Sequence, residues 1–322
     1  MLESLDHLSK FDCFFIDDTH RRLAYRVLAW SLECSRDPNV EEHAGRAFFA
    51  TTFGLLCAPR SARSEELFVS IKFLMIFFQI DDAPSSVMNE IVAPVSRREA
   101  GNDCGAAYDF QNCYVSLMSH FDGGRQEVKD FQSALRRICS SMQMEKSADK
   151  DAWSEQEMLE IRKVVVGIPA FSECWRAILG LVFAPPIESA LKIHAPLDIT
   201  CEIACLVNDI ASFDRDEQTS RTDPANVDPN LVLLRMRKLG SREAALESGI
   251  QWYNRKVEEF RLAEQALLTG EHGHDPALRS YLEILHCAIV GDLATSKHLV
   301  PMRYEGSAPA LARLLKLDDL SR

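Results

Sequence analysis

Basic charge is scarce in this sequence. Its 36 Lys and Arg are outnumbered by 48 Asp and Glu, giving a net charge of −12 over 322 residues. That balance argues against nucleic acid and against anionic membrane surfaces as partners. Long apolar runs are also missing. The most apolar stretch, Phe73 to Ile80, is far shorter than the ~20 residues of a membrane-spanning helix. There is no C-x-x-C pair among the ten cysteines, whose spacing is irregular. Cys139, Cys174, Cys205 and Cys287 sit inside apolar helical patterns, so reduced core thiols are expected rather than disulfides. Met1 to Phe15 lacks a basic segment followed by an apolar run, so no secretory signal is read there. A soluble cytoplasmic protein is expected. No Pro/Gly/Ser-rich linker and no internal repeat divides the chain, and 47% of it is hydrophobic. The expectation is one domain over 1–322 with a large core.

What is present centres on Val207 to Glu217. The run Cys201 to Val207 is apolar and holds no helix breaker. Continued as a helix, it puts Asn208, Ser212 and Asp216 four residues apart. Each step of four turns about 40° past a full turn, so the three stay within an arc of roughly 80°. An amide oxygen, a hydroxyl and a carboxylate on one face make an all-oxygen set suited to a hard divalent cation such as Mg2+. Arg215 lies beside them, placed to reach an anion held by the metal. The same spacing also describes a solvated face. Two features count against that: the preceding turns are apolar, and a second acidic pair, Asp81-Asp82, ends another apolar helix.

Asn208-Asp-x-x-Ser212-x-x-x-Asp216 resembles the second metal motif of class I terpene synthases. The third ligand of that family is usually Glu, here shortened to Asp216, and the basic residue often found before it is matched by Arg215. Asp81-Asp82-x-x-Ser85 is similar to the family's aspartate-rich motif. Asp81 stands at the main ligand position, Asp82 follows it, and Ser85 replaces the last acid. Read without the family, two adjacent carboxylates after a buried helix call for a counter-charge, a metal or an arginine, or simply open the next helix.

The remaining chain reads as helices. The first residues, 1–18, are expected to be irregular. Arg21 to Cys34, Glu41 to Cys57 and Ser64 to Asp82 follow, the last apolar nearly all round and hence buried. Glu90 to Asp103 reads as a helix end and loop. Ala106 to Phe121 and Glu127 to Met144 are amphipathic helices parted by Gly123-Gly124. In Glu155 to Val182, Gly167 and Pro169 predict a kink or break. Pro185-Pro186 is read as opening the helix that carries 208–216. Gln218 to Pro229 reads as a polar mobile loop. Leu231 to Leu239, Arg242 to Leu268 and Pro276 to Val300 complete the set, with 305–322 as a tail.

The resemblance extends to these elements. It implies that Arg162 is the diphosphate sensor, Val165 the linker and Val166 the carbonyl-presenting effector at the helix break. It implies that Arg303-Tyr304 is the diphosphate-binding pair, with Arg303 able to pair with Asp82. The implied fold is an all-α, single-domain helical bundle around a deep apolar cavity. The implied activity is that of a carbon–oxygen lyase: a prenyl diphosphate is ionised with three Mg2+ ions and cyclised. Diphosphate would be bound by Arg162, Asn208, Arg215, Arg303 and Tyr304, and metal by Asp81, Asn208, Ser212 and Asp216, with Asp82 and Ser85 as further candidates. Aromatic faces stabilise cations, and Phe53, Phe73, Phe77, Phe78 and Trp175 are candidates for that role.

Farnesyl diphosphate is the expected substrate and a sesquiterpene the product. Small residues in the last helix, Ala288, Ala294 and Thr295, keep geranylgeranyl diphosphate open. The metal motifs loosely resemble those of fungal trichodiene-synthase-like cyclases. A chain-elongating prenyltransferase is disfavoured because it uses two aspartate-rich motifs. A non-catalytic helical protein binding prenyl diphosphates is the other alternative. A monomer or homodimer is expected.

Overall fold

The computed structural model describes residues 6–35, 39–82, 105–147, 153–223, 228–303 and 305–314. Among them every regular element is a helix and none is a strand. The all-α expectation therefore holds. The nine cysteines among the described residues are free, and Cys139, Cys174, Cys205 and Cys287 are buried. No helix among the described residues is long and apolar enough to cross a membrane.

The chain forms two compact units. The first comprises Met1–Ala148 and Ala170–Leu181, the second Asp149–Pro169 and Val182–Arg322. In the first unit, a 3-10 helix at Asp6–Phe14 precedes α1 (Asp18–Cys34), α2 (Val40–Cys57), α3 (Ser64–Asp82), α4 (Gly105–Met118) and α5 (Gln126–Ser147). Residues 6–14 are thus helical rather than irregular as expected. Phe11 of the 3-10 helix stacks on Phe48 of α2 with ring centroids 4.4 Å apart, and Asp17 caps α1 by accepting from the His20 N–H at 2.7 Å. Helix α3 is packed between α2 and α4. Every residue from Leu67 to Ile76 is buried, as its apolar circumference requires. The Lys72 ammonium in that run stays within reach of polar groups, 2.9 Å from His120 Nε2.

In the second unit, α6 (Glu155–Val165) opens on a capping box formed by Ser154 and Glu157. It ends where Gly167 takes φ 85°, a left-handed value a glycine adopts at no steric cost. α7 (Ile168–Leu179) then starts with Pro169 in its first turn, and from Ala170 on it belongs to the first unit. The break predicted at Gly167 and Pro169 is there.

One expectation fails next. Pro185 does not open the helix of the 208–216 motif. It opens a separate helix, α8 (Pro185–His194), and α9 (Pro196–Thr222) begins after Ala195. Ala195 has φ 45°, and Pro196 has no N–H to continue α8, so its fixed φ starts a new helix instead.

The polar stretch 218–222, expected to be loop, is the last turn of α9. Thr219 and Thr222 donate their hydroxyls to carbonyls four residues back, at 2.9 and 3.1 Å. These local bonds let weak helix formers stay helical. Residues 224–227 lie outside the described set. α10 (Leu231–Leu239), α11 (Arg242–Thr269), α12 (Pro276–His298) and the short α13 (Val300–Arg303) and α14 (Ala308–Ala312) follow. Helix α9 is the axis of this unit, in contact with α6, α10, α11, α12 and α14. Thr200 to Val207 are all buried, so the apolar run that leads into the motif is enclosed on every side.

Candidate active site

The site grows from α9. Ser212 and Asp216 are buried, whereas the Asn208 side chain is exposed. Ser212 Oγ donates to Asp216 Oδ2 at 2.6 Å, the four-residue spacing bringing the two together. Arg215 Nε donates to the other oxygen, Asp216 Oδ1, at 2.9 Å. The same guanidinium stands 3.6 Å from Asp228. Three oxygens of the expected set therefore share one helix, and two of them are in direct contact.

Arg162 reaches this face from α6. One of its terminal nitrogens donates to Asn208 Oδ1 at 3.0 Å and to Asp209 Oδ1 at 2.5 Å. Both partners of the Arg162–Asp209 pair are buried. Asp209 also accepts the backbone N–H of Leu231, the first residue of α10, through Oδ2 at 2.8 Å. Burial pushes the Asp209 carboxyl up to about 6, against the guanidinium and the Leu231 N–H, which pull it down. Val165 is buried, and Val166 ends α6, its N–H donating to the Arg162 carbonyl at 2.9 Å. Arg162 and Val166, expected as sensor and effector, are thus one helical turn apart, at the break.

Asn230, not singled out from sequence, closes the arrangement. It is buried and caps α10, Oδ1 accepting from Leu233 N–H at 3.0 Å. Its Nδ2 donates to the Asp209 carbonyl and to Asp216 Oδ2, both at 2.9 Å, and lies 3.4 Å from Ser212 Oγ. An Asn before an apolar run signals a helix start; nothing in the sequence links it to residue 216. Glu217 is held by Arg242 at 3.1 Å and by Arg221, so its charge is compensated within the protein. Arg242 also holds Asp214. Gly306 sits against that same Asp214: a Cβ on Gly306 would stand 1.9 Å from Asp214 Oδ2. The segment just after Arg303 is thereby fixed beside α9. Arg303 ends α13, and Tyr304 and Ser85 lie outside the described residues.

In the first unit, Asp81 and Asp82 end α3 with both side chains exposed. Arg46 of α2 donates through Nε to Asp82 Oδ2 at 3.0 Å, and Lys146 donates to the Asp81 carbonyl at 2.6 Å. Arg46 is thus the counter-charge at the Asp82 carboxylate, whereas Lys146 meets the backbone of Asp81. Phe53, Phe77 and Phe78 form a half-buried ring group, with centroids 5.7 Å apart for Phe53–Phe78 and 5.6 Å for Phe77–Phe78. Phe73 is 1% exposed and Trp175 0%. Those two are enclosed in packing, Phe73 edge-on to Phe131 and Trp175 edge-on to Phe171. In α12, Ala288 is 1% exposed and Thr295 0%, so their small size is taken up by packing.

Among the described residues, no three His, Cys, Asp or Glu side chains gather into a metal-holding group. The candidate set on α9 uses an amide and a hydroxyl instead. It fits a hard divalent cation: all donors are oxygen, and Ser212 spends its proton on Asp216 and accepts a long bond from Asn230, which leaves one lone pair for a cation.

A family model described as terpene synthase family 2, C-terminal metal binding, matches residues 90–259. No curated protein sequence matches the chain. Several solved structures resemble it. The SVS_A2 protein from ancestral sequence reconstruction is 17% identical, with 95% of this chain and 96% of that one covered and a TM-score of 0.72. A structure described as hedycaryol apo is 14% identical, with 87% and 94% covered and a TM-score of 0.68. Aristolochene synthase from Penicillium roqueforti is 17% identical, with 87% and 95% covered and a TM-score of 0.66. At these identities the likeness is one of fold.

Proposed function

This chain belongs to terpene synthase family 2, and from that membership we propose that it cyclises farnesyl diphosphate to a sesquiterpene with release of diphosphate. The observation that carries the proposal is the meeting of Arg162 with Asn208 and Asp209, beside the Ser212–Asp216 pair, on a buried helix. A guanidinium beside an exposed amide oxygen is within reach of an anion that a cation on that oxygen would hold. Solved cyclases of similar fold that act in sesquiterpene chemistry by name, such as aristolochene synthase, support the C15 substrate.

Asn208, Ser212 and Asp216 would hold Mg2+ on α9, and Asp81 would hold it on α3. Bound there, the metal supplies charge stabilisation to the departing diphosphate. The protein's own groups do the rest. Arg162, Arg215 and Arg303 bind the diphosphate and gain energy as negative charge grows on it during C–O cleavage. The Val166 carbonyl, at the C-terminal end of α6, faces the developing allylic cation with the negative end of a helix dipole. The half-buried rings of Phe53, Phe77 and Phe78 offer π faces to the carbocation. Excluding water prevents its premature capture.

The test is incubation of the purified protein with C10, C15 and C20 prenyl diphosphates, with and without MgCl2, followed by mass spectrometry of the organic extract. A C15 product that requires the metal is expected, together with its loss in Asp81→Ala and Asn208→Ala at unchanged helicity. Failure to form product from any of the three overturns the reading. A C20 product alone moves the chain to diterpene synthesis.

A further inference from the structure

The α9 site has a member that the sequence motif does not contain. Asn230 lies fourteen positions beyond Asp216, at the start of another helix, yet its amide contacts the motif in three places. The orientation of that amide is fixed. The Leu233 N–H demands an oxygen on one side; the Asp209 carbonyl and the Asp216 carboxylate demand a nitrogen on the other. Asn230 is 3% exposed, so water does not compete for these bonds.

The consequence falls on Asp216. Its carboxylate is one methylene shorter than the Glu of the family motif, so its reach along the helix depends more on its rotamer. Three donors set that rotamer: Arg215 on Oδ1, and Ser212 and Asn230 on Oδ2. Arg215 is partly exposed and also faces Asp228. Ser212 is itself a candidate ligand. Asn230 alone of the three is buried, neutral and anchored on a different helix. It directs the carboxylate without adding charge that would repel or capture a cation. Metal ligands held by such outer partners owe them affinity.

We propose that Asn230 is the positioning residue that sets the divalent-metal affinity of the α9 site, by holding Asp216 in its ligating orientation. The proposal rests on the terpene-cyclase reading above.

Asn230→Ser tests it. Serine serves equally well as an N-cap, so α10 keeps its start, but a hydroxyl accepting from Leu233 N–H has no second arm for Asp216. The protein is melted while MgCl2 is titrated at fixed inorganic diphosphate. The wild type is expected to gain stability with a defined Mg2+ midpoint. In Asn230→Ser that midpoint should rise about tenfold, the size of effect that outer partners of metal ligands show. KM for farnesyl diphosphate at saturating Mg2+ should change by less than about twofold. A purely structural role would lower the melting temperature without ligand and leave the Mg2+ midpoint alone.

Asn230→Asp is the second variant, should the serine form fail to fold. It keeps the cap and sets one carboxylate against another, so MgCl2 without diphosphate should now raise its melting temperature. If the wild type responds to Mg2+ and diphosphate while both variants keep its midpoint, and Asn230→Asp gains no more from MgCl2 alone than the wild type does, the proposal is overturned. If the wild type shows no such response, the cyclase reading of the site falls, and this proposal with it.

Discussion

Asp292 carries the sharpest stability prediction. It lies on α12, and its Oδ2 is shut off from solvent with no hydrogen-bond partner among the described residues. Thr295 Oγ1, one turn further on, is likewise buried and has no partner among them. Burial alone pushes the Asp292 carboxyl from 3.8 up to about 7. The nearby Tyr253 hydroxyl is pushed well up, first by burial and then by the Asp292 charge. A carboxyl raised in the folded state binds its proton more tightly there than in the unfolded chain. Its stabilising contribution is therefore complete below pH 3.8 and is lost as pH rises through about 7. The full loss is about 4 kcal/mol. Because the residue as a whole keeps partial exposure, water softens that figure, and roughly half is expected. Asp292→Asn removes the titration and keeps the shape. In urea unfolding followed by far-UV circular dichroism, the variant should gain on the wild type by about 1–2 kcal/mol between pH 5 and pH 8. All other titrating groups are common to both proteins and cancel in the difference. A difference constant within about 0.5 kcal/mol over that range would refute the reasoning and show that Asp292 titrates as it does in water.

Three further outcomes are expected. Arg162→Lys keeps the charge but replaces the planar guanidinium, one nitrogen of which serves both Asn208 and Asp209, with a shorter point charge; kcat should fall at least about tenfold with a smaller change in KM, read by steady-state kinetics on proteins of equal helicity. Ala195→Gly relieves a left-handed φ of 45° between α8 and α9; thermal melts should show a gain of about 0.5–1 kcal/mol with kcat unchanged, and a destabilised variant would contradict the strain. Gly306→Ala drives a methyl into Asp214 Oδ2 and dislodges the pair with Arg242; unfolding should register a loss of about 1–3 kcal/mol, and an unchanged stability would mean that the 305–307 segment is free to move aside.

Much of this molecule is local and was legible as such. The bounds of α3 and α10 follow from where apolar patterns start and stop, and the break after α6 follows from Gly167 and Pro169. The grouping of Asn208, Ser212 and Asp216 is helix geometry, fixed once the run before them is helical. Local signals also misled. Gln218 to Thr222 has loop composition, but hydroxyl-to-carbonyl bonds and the Arg221–Glu217 pair extend α9 through it. The split at Ala195 and Pro196 is written in the sequence only as a proline inside a helical pattern, which a helix can also accommodate in its first turn. Asp209 was only a neighbour of the motif until the fold brought Arg162 and Leu231 N–H to its two oxygens. Arg46 at Asp82, Gly306 at Asp214 and Asn230 at Asp216 are of the same kind. A spacing of four residues is written in the chain because one helical turn enforces it. A contact between residues 216 and 230 is made by packing α10 against α9, and no periodicity encodes which side chains then meet.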